Sequence, residues 1–168
     1  MEQYTKKIIL ILFLLLSLNI YALSLTDDAI ARGINETCSS YLSQIEKSYN
    51  LNGLNITFAH PEDPSLLPSL HISSQKYNNG SSLFSATLTP DEEYCYLSTV
   101  LVTSVNNQTC SDISQLKLEA NPELQVSSYA EGDFTIITPE DNSYQTVLIN
   151  NGDQSCTLTE SRMFWPGR

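Results

Sequence analysis

Four cysteines, Cys38, Cys95, Cys110 and Cys156, lie in a chain that opens like an exported one, and together these facts constrain the fold more than any other feature. Lys6 and Lys7 precede an unbroken apolar run from Ile8 to Leu16, which continues through Ile20 to small residues at Ala22 and Ser24. A basic flank, a short apolar stretch and a small-residue exit mark a secretory signal peptide. The run falls short of the roughly 20 apolar residues that a membrane span needs. The expected organisation is a cleaved signal over residues 1–22 and a single domain over 23–168. That domain is expected in the periplasm or the extracellular medium, with no stable membrane anchor once the signal is gone.

Export makes the cysteines legible. Their number is even, their spacings are 57, 15 and 46, and no C-x-x-C pair occurs, so two structural disulfides are expected in place of a zinc or redox motif. Four cysteines allow three connectivities. The preferred one joins Cys38 to Cys95, pinning a helix to a central strand, and Cys110 to Cys156, closing a C-terminal meander; sequence alone leaves the choice open.

Charge removes several function classes. The chain has Lys+Arg 8 and Asp+Glu 19, for a net charge of -11. Loss of Lys6, Lys7 and Glu2 with the signal leaves 6 basic and 18 acidic side chains, a balance of -12. A nucleic-acid binder needs a basic stripe, and a polybasic membrane binder needs the same sign, so neither is expected. Four Asn-x-Ser/Thr matches (at Asn35, Asn55, Asn79 and Asn107) carry little weight. A chain this rich in Asn, Ser and Thr yields about three by chance, so the pattern does not assign glycosylation.

Periodicity supplies the fold. Ile30, Ile34, Cys38, Tyr41, Leu42, Ile45 and Tyr49 recur at helical spacing after a start at Thr26-Asp27-Asp28, predicting one long amphipathic helix that ends near Asn50-Gly53. From Asn55 to Pro68 the prolines read as loop. Thereafter the period is two. Leu70–Tyr77 and the strand through Phe84, Ala86 and Leu88 form a hairpin about Asn79-Gly80, and Tyr94–Val102 is apolar on both faces, which places it centrally. Cys110–Pro122 reads as a short helix or an irregular connection. Three strands follow, at Asp133–Thr138, Ser143–Asn150 and Gln154–Arg162. A two-residue Asn151-Gly152 turn and a four-residue loop at 139–142 would put Phe134, Ile136, Val147, Ile149, Cys156 and Leu158 on one buried face. The expected fold is α+β: one long N-terminal helix packed on a five- to six-stranded antiparallel meander.

Catalytic signatures are thin. His60 sits in the proline-rich loop and His71 near a strand start, and both read as surface histidines. No G-x-S-x-G, H-E-x-x-H, phosphate loop or calcium register is present, so no catalytic residue, cofactor or metal ion is expected. The tail places Phe164 and the single Trp165 beside Arg168. These three are the candidate partner contacts, since Trp and Arg dominate binding hot spots; the alternative is that the aromatics cap the core. The functional expectation is a small, acidic, non-catalytic binding protein, of the inhibitor or immunity type, for a cationic protein partner. Two alternatives are an envelope assembly protein that uses the aromatic tail or a sheet edge, and a secreted effector or enzyme with a site near His60–Ser69 and Asp91–Glu93.

Overall fold

Why the predicted long helix stops early is visible at Gly33, whose φ of +85° belongs to the left-handed region and where a Cβ would meet Pro64 Cγ at 3.0 Å. The computed structural model, which describes residues 23–152 and 154–164, accordingly has two helices where one was expected. Helix α1 (Leu25–Ala31) is capped by the Ser24 hydroxyl, which accepts from Asp27 N at 3.0 Å. Helix α2 (Glu36–Ser48) restarts at Asn35, whose side chain accepts from Cys38 N at 2.8 Å. The hydroxyl of Thr26, where the helix was expected to start, donates to Glu46 Oε2 at 2.5 Å. Glu46 also accepts from Leu25 N at 2.7 Å and Thr26 N at 3.1 Å, so a carboxylate of α2 holds the start of α1. The expected signal segment, residues 1–22, lies outside the described residues.

Eight strands follow in one antiparallel sheet, not five or six. They are β1 (Leu54–Phe58), β2 (Ser69–Tyr77), β3 (Gly80–Asp91) and β4 (Tyr94–Asn106), then, after helix α3 (Cys110–Ala120), β5 (Gln125–Tyr129), β6 (Phe134–Thr138), β7 (Tyr144–Asn150) and β8 (Ser155–Phe164). The order across the sheet is β1-β2-β3-β4-β8-β7-β6-β5. β1 corrects the loop expected over 55–68: Leu54, Ile56 and Phe58 alternate with Asn55 and Thr57 ahead of the prolines, and five residues suffice for an edge strand. β5 lacks such alternation, since its five residues are all exposed and only pairing with β6 defines it. The β2–β3 turn is Asn78-Asn79, with Tyr77 opposite Gly80, one residue earlier than the Asn-Gly signal suggests.

The C-terminal register overturns the expected buried face. Asn150 pairs with Cys156, so five residues separate the last pair where two were expected, and Val147 faces Thr159 in place of Cys156. That three-residue displacement is odd, and an odd slip sends every side chain to the opposite face. Phe134, Ile136, Val147 and Ile149 do share a side, but it is the side without helices. The core side holds Ile137, Leu148 and Cys156, all fully shielded from solvent.

The chain is built twice. Each half is a helix followed by a four-stranded meander, and the halves join where β4 pairs with β8. A disulfide ties the helix of each half to the second residue of its fourth strand: Cys38–Cys95 in the first half, Cys110–Cys156 in the second. Around the paired cysteines even the sequence repeats: Asn35-Glu36-Thr37-Cys38-Ser39 matches Asn107-Gln108-Thr109-Cys110-Ser111, and Cys95-Tyr96-Leu97-Ser98 matches Cys156-Thr157-Leu158-Thr159. Val100 pairs with Ser161, and each stands five residues beyond the cysteine of its strand, so a pseudo-two-fold axis passes through that pair. By the same relation Phe84, Ala86 and Leu88, opposite Leu101, Thr99 and Leu97, correspond to Tyr144, Thr146 and Leu148, opposite Arg162, Glu160 and Leu158.

Helices α1, α2 and α3 lie on one face. α1 packs on β1 and β2, α2 on β3 and β4, and α3 on β7 and β8. Two cores result, one around Leu25, Leu42, Phe84 and Leu88, the other around Ile113, Leu124, Ile137 and Leu148. Tyr49 and Phe84 rings meet at 5.2 Å between centroids in the first. No described helix is long and apolar enough to cross a membrane. The two disulfides are bonds of the kind an oxidising compartment forms and keeps.

Candidate binding surface

His71 is not the surface histidine expected. It points from β2 under α1 and is fully buried between two hydroxyls, with Thr57 Oγ1 3.1 Å from Nδ1 and Ser69 Oγ 2.8 Å from Nε2. Alternation on β2 could have revealed this, since Ser69, His71, Ser73 and Gln75 occupy one buried face. The face is polar throughout, however, so hydropathy alone assigns it to solvent. Burial lowers the imidazole pKa to about 4, against a weaker opposing pull from Asp28. The ring is therefore neutral in the fold but takes up a proton near pH 6.5 once unfolded, so the unfolded state binds more protons below that pH. Stability is expected to be full above about pH 6.5 and to fall by roughly 3 kcal/mol at most as the pH drops towards about 4. Urea titrations at pH 7, 5.5 and 4.5 measure this, and His71→Gln should flatten the profile across that window.

His60 stays on the surface, where its Nδ1 accepts from Glu62 N at 3.3 Å and Asp63 N at 3.2 Å. It organises an acidic turn, far from the buried His71 hydroxyl pair in chemical character. Among the described residues, no group of three or more His, Cys, Asp or Glu is placed to hold a metal ion.

The seam between the halves, on the helix side, consumes basic charge. Arg162 Nη2 lies 2.9 Å from Glu160 Oε1, Lys117 Nζ lies 3.9 Å from Glu160 Oε2, and the Arg162 guanidinium sits 4.8 Å over the Tyr144 ring. Partial burial at this seam pushes the Tyr49 phenol up. A third pair, Arg32 Nε to Asp28 Oδ1 at 3.2 Å, closes on α1. Three of the few cations thus face carboxylates within the chain.

A group of exposed carboxylates gathers at strand ends. Glu62 and Asp63 lie in the β1–β2 connection, Asp91, Glu92 and Glu93 at the β3–β4 turn, and Glu140 and Asp141 in the β6–β7 turn; all are exposed. The register brings these three connections to one end of the strands, and no Lys or Arg occurs in any of them. Asp91 hydrogen-bonds Tyr96, which pushes that phenol up. The acids expected near a hidden catalytic site, Asp91–Glu93, therefore share an end of the sheet with His60.

The face of the sheet opposite α1, α2 and α3 is, among the described residues, almost without charge. One row crosses all eight strands: Leu54, Ser74, Leu83, Val102, Thr159, Val147, Ile136 and Ser127. Lys76 and Asp91, both at strand ends, are its charged members. A shallow recess of about 410 Å³ lies at one margin, lined by Lys76, Tyr77, Ser81, Ser104 and neighbouring residues. Of the expected partner contacts, Phe164 ends β8 opposite Leu97 and is 41% exposed. Trp165 and Arg168 lie outside the described residues.

No family model matches the chain, and no curated protein or solved structure matches it. The reading of function rests on the residues themselves.

Proposed function

We propose that this is an exported, non-catalytic binding protein that captures a cationic protein. The observation that carries the reading is the density of exposed carboxylates at Glu62, Asp63, Asp91, Glu92, Glu93 and Glu140, from three connections at one end of the sheet that contain no Lys or Arg, with Lys117, Arg162 and Arg32 already engaged by Glu160 and Asp28. Such a field raises the rate at which an oppositely charged partner arrives and leaves the disulfide-tied scaffold unchanged. Export agrees with two disulfides and with the basic-apolar opening of the chain.

Retention of cationic exported hydrolases, with lysozyme as the first probe, tests the idea at about 20 mM and about 500 mM salt, where screening differs severalfold. Capture at low salt that weakens steeply at high salt is expected. Neutralising Asp91, Glu92 and Glu93 to Asn and Gln should slow association about tenfold with little change in dissociation. Capture indifferent to salt, or none from a broad cationic panel, sinks the reading.

A further inference from the structure

β1 and β5 are the two edges of the sheet and hold equivalent places in the two halves, yet among the described residues only β1 is closed. On β1 the Thr57 N–H donates to Asp28 Oδ2 of α1 at 2.8 Å, and Asn55 Nδ2 donates to Leu23 O at 3.0 Å. Helix α1 and the residue before its cap thus occupy that edge. The second half has no counterpart of α1, because α3 follows β4 directly and is succeeded by β5. Val126 takes the place of Thr57: Thr57 lies in register with His71, Ala86 and Thr99, and Val126 with Ile137, Thr146 and Glu160. Thr57 is 1% exposed and Val126 39%.

All five residues of β5 are exposed, and Gln125–Tyr129 contains no charge, proline or glycine. Charge and proline are among the devices that normally keep an edge strand from pairing with another chain. The charges stand just outside the strand, at Glu123, Glu131 and Asp133, each exposed. This placement selects the occupant. A second copy paired antiparallel about Ser127 would set Glu123 against Glu131 at both ends, a like-charge opposition that destabilises a ladder. A strand with basic ends would meet attraction at both.

We propose that β5 is an acceptor edge to which the cationic partner adds an extended segment, with a short uncharged core of alternating β-branched residues and Lys or Arg at its ends. The proposal rests on the cationic-partner reading and names where that partner is held. Main-chain hydrogen bonds to β5 supply affinity, and Glu123, Glu131 and Asp133 set the sign of what is accepted. Asn150 N donates to Asp133 O, so by strand alternation Phe134, Ile136 and Thr138 turn their backbone groups towards β5, and the N–H groups of Val126 and Ser128, like that of Thr57, turn away from the sheet.

The probe is a nonapeptide, Lys-Lys-Thr-Val-Thr-Val-Thr-Lys-Lys, with a Glu-flanked version as its control. The Lys-flanked peptide is expected to bind at least about tenfold more tightly than the control and to slow amide exchange at Val126 and Ser128. Ser128→Pro removes an outward donor and should weaken binding about tenfold with the melting temperature held, since edge strands tolerate proline. Joint reversal of Glu123, Glu131 and Asp133 to Lys leaves the β5–β6 ladder untouched and should invert the peptide preference. This variant decides the matter if Ser128→Pro unfolds. Absence of binding, or binding that leaves Val126 and Ser128 exchange unchanged, overturns the proposal. If Ser128→Pro, folded, captures a cationic protein as tightly as the native chain, the edge proposal falls and the function reading stands. If the native chain captures none, the function reading falls while the peptide result still judges the edge.

Discussion

Replacing Cys110 and Cys156 together by Ala is expected to lower the unfolding free energy by about 4 kcal/mol, and the Cys38–Cys95 pair by a similar amount. The loops closed are 46 and 57 residues long, and in the chain-entropy view a loop of that length loses most of its freedom in the unfolded state once bridged. The loops follow one another along the chain without overlap, so the two losses should add. Since domains of this size hold about 5–15 kcal/mol in all, the doubly reduced chain is expected to be largely unfolded. The single-bridge variants carry more information. Each bridge ties a helix to the fourth strand of its own half, so loss of Cys110–Cys156 should raise amide exchange in α3 and β7 first and leave α2 and β3 protected. Denaturant titration followed by hydrogen exchange on each pair variant measures both effects. Equal loss of protection in the two halves would contradict the division into two cores.

Leu148→Ala is expected to cost about 2–5 kcal/mol, whereas Ile149→Ala should cost under about 1 kcal/mol. Leu148 is fully buried against the α3 side of the sheet, in contact with the cluster of Ile113, Leu124 and Ile137. Ile149, its neighbour, points to the helix-free face between Phe134 and Thr157. Truncating Leu148 leaves a cavity that a disulfide-tied sheet cannot easily collapse; truncating Ile149 removes side-chain area that is already partly wet. Paired urea midpoints read the contrast directly. A larger loss at Ile149 would mean that β7 has the opposite facing.

That contrast is also where the sequence misleads. Val147, Ile149, Phe134 and Ile136 are the more conspicuous apolar set, and a short Asn-Gly turn would have buried them. The observed five-residue connection, with Gln154 at φ +59° and Gly152 at φ +75°, shifts β8 by an odd count and buries Leu148 and Ile137 instead. Turn chemistry decided the face, and hydropathy alone could not. The helix break had a local sign, Gly33 followed by the capping residue Asn35, but the 3.6-residue stripe runs through both and hides it. The core strands β3 and β4 were legible because alternation and β-branching agree there. The edge strands were not, because a strand half in water needs no pattern.

The candidate surface was legible in charge but not in place. Acidity and the lack of catalytic motifs are composition-level facts; that Glu62, Asp91–Glu93 and Glu140 meet at one end of the sheet depends on the β4–β8 pairing, which no local signal encodes. His71 shows the opposite failure. A polar face of Ser, His, Ser and Gln reads as solvent-facing until a helix is known to lie over it. The doubled architecture had a signal, the two N-x-T-C-S segments, which stand 72 residues apart.

The β4–β8 pairing also sets an order of events during synthesis. Every other pairing in the sheet joins neighbours in sequence, so the first half can complete its meander and its disulfide while the second is still being made. Until β8 arrives, the thirteen residues of β4 present an open backbone edge rich in Val, Leu, Thr and Tyr. The nascent chain therefore carries an aggregation hazard from the emergence of β4 until that of β8, the strand that removes it.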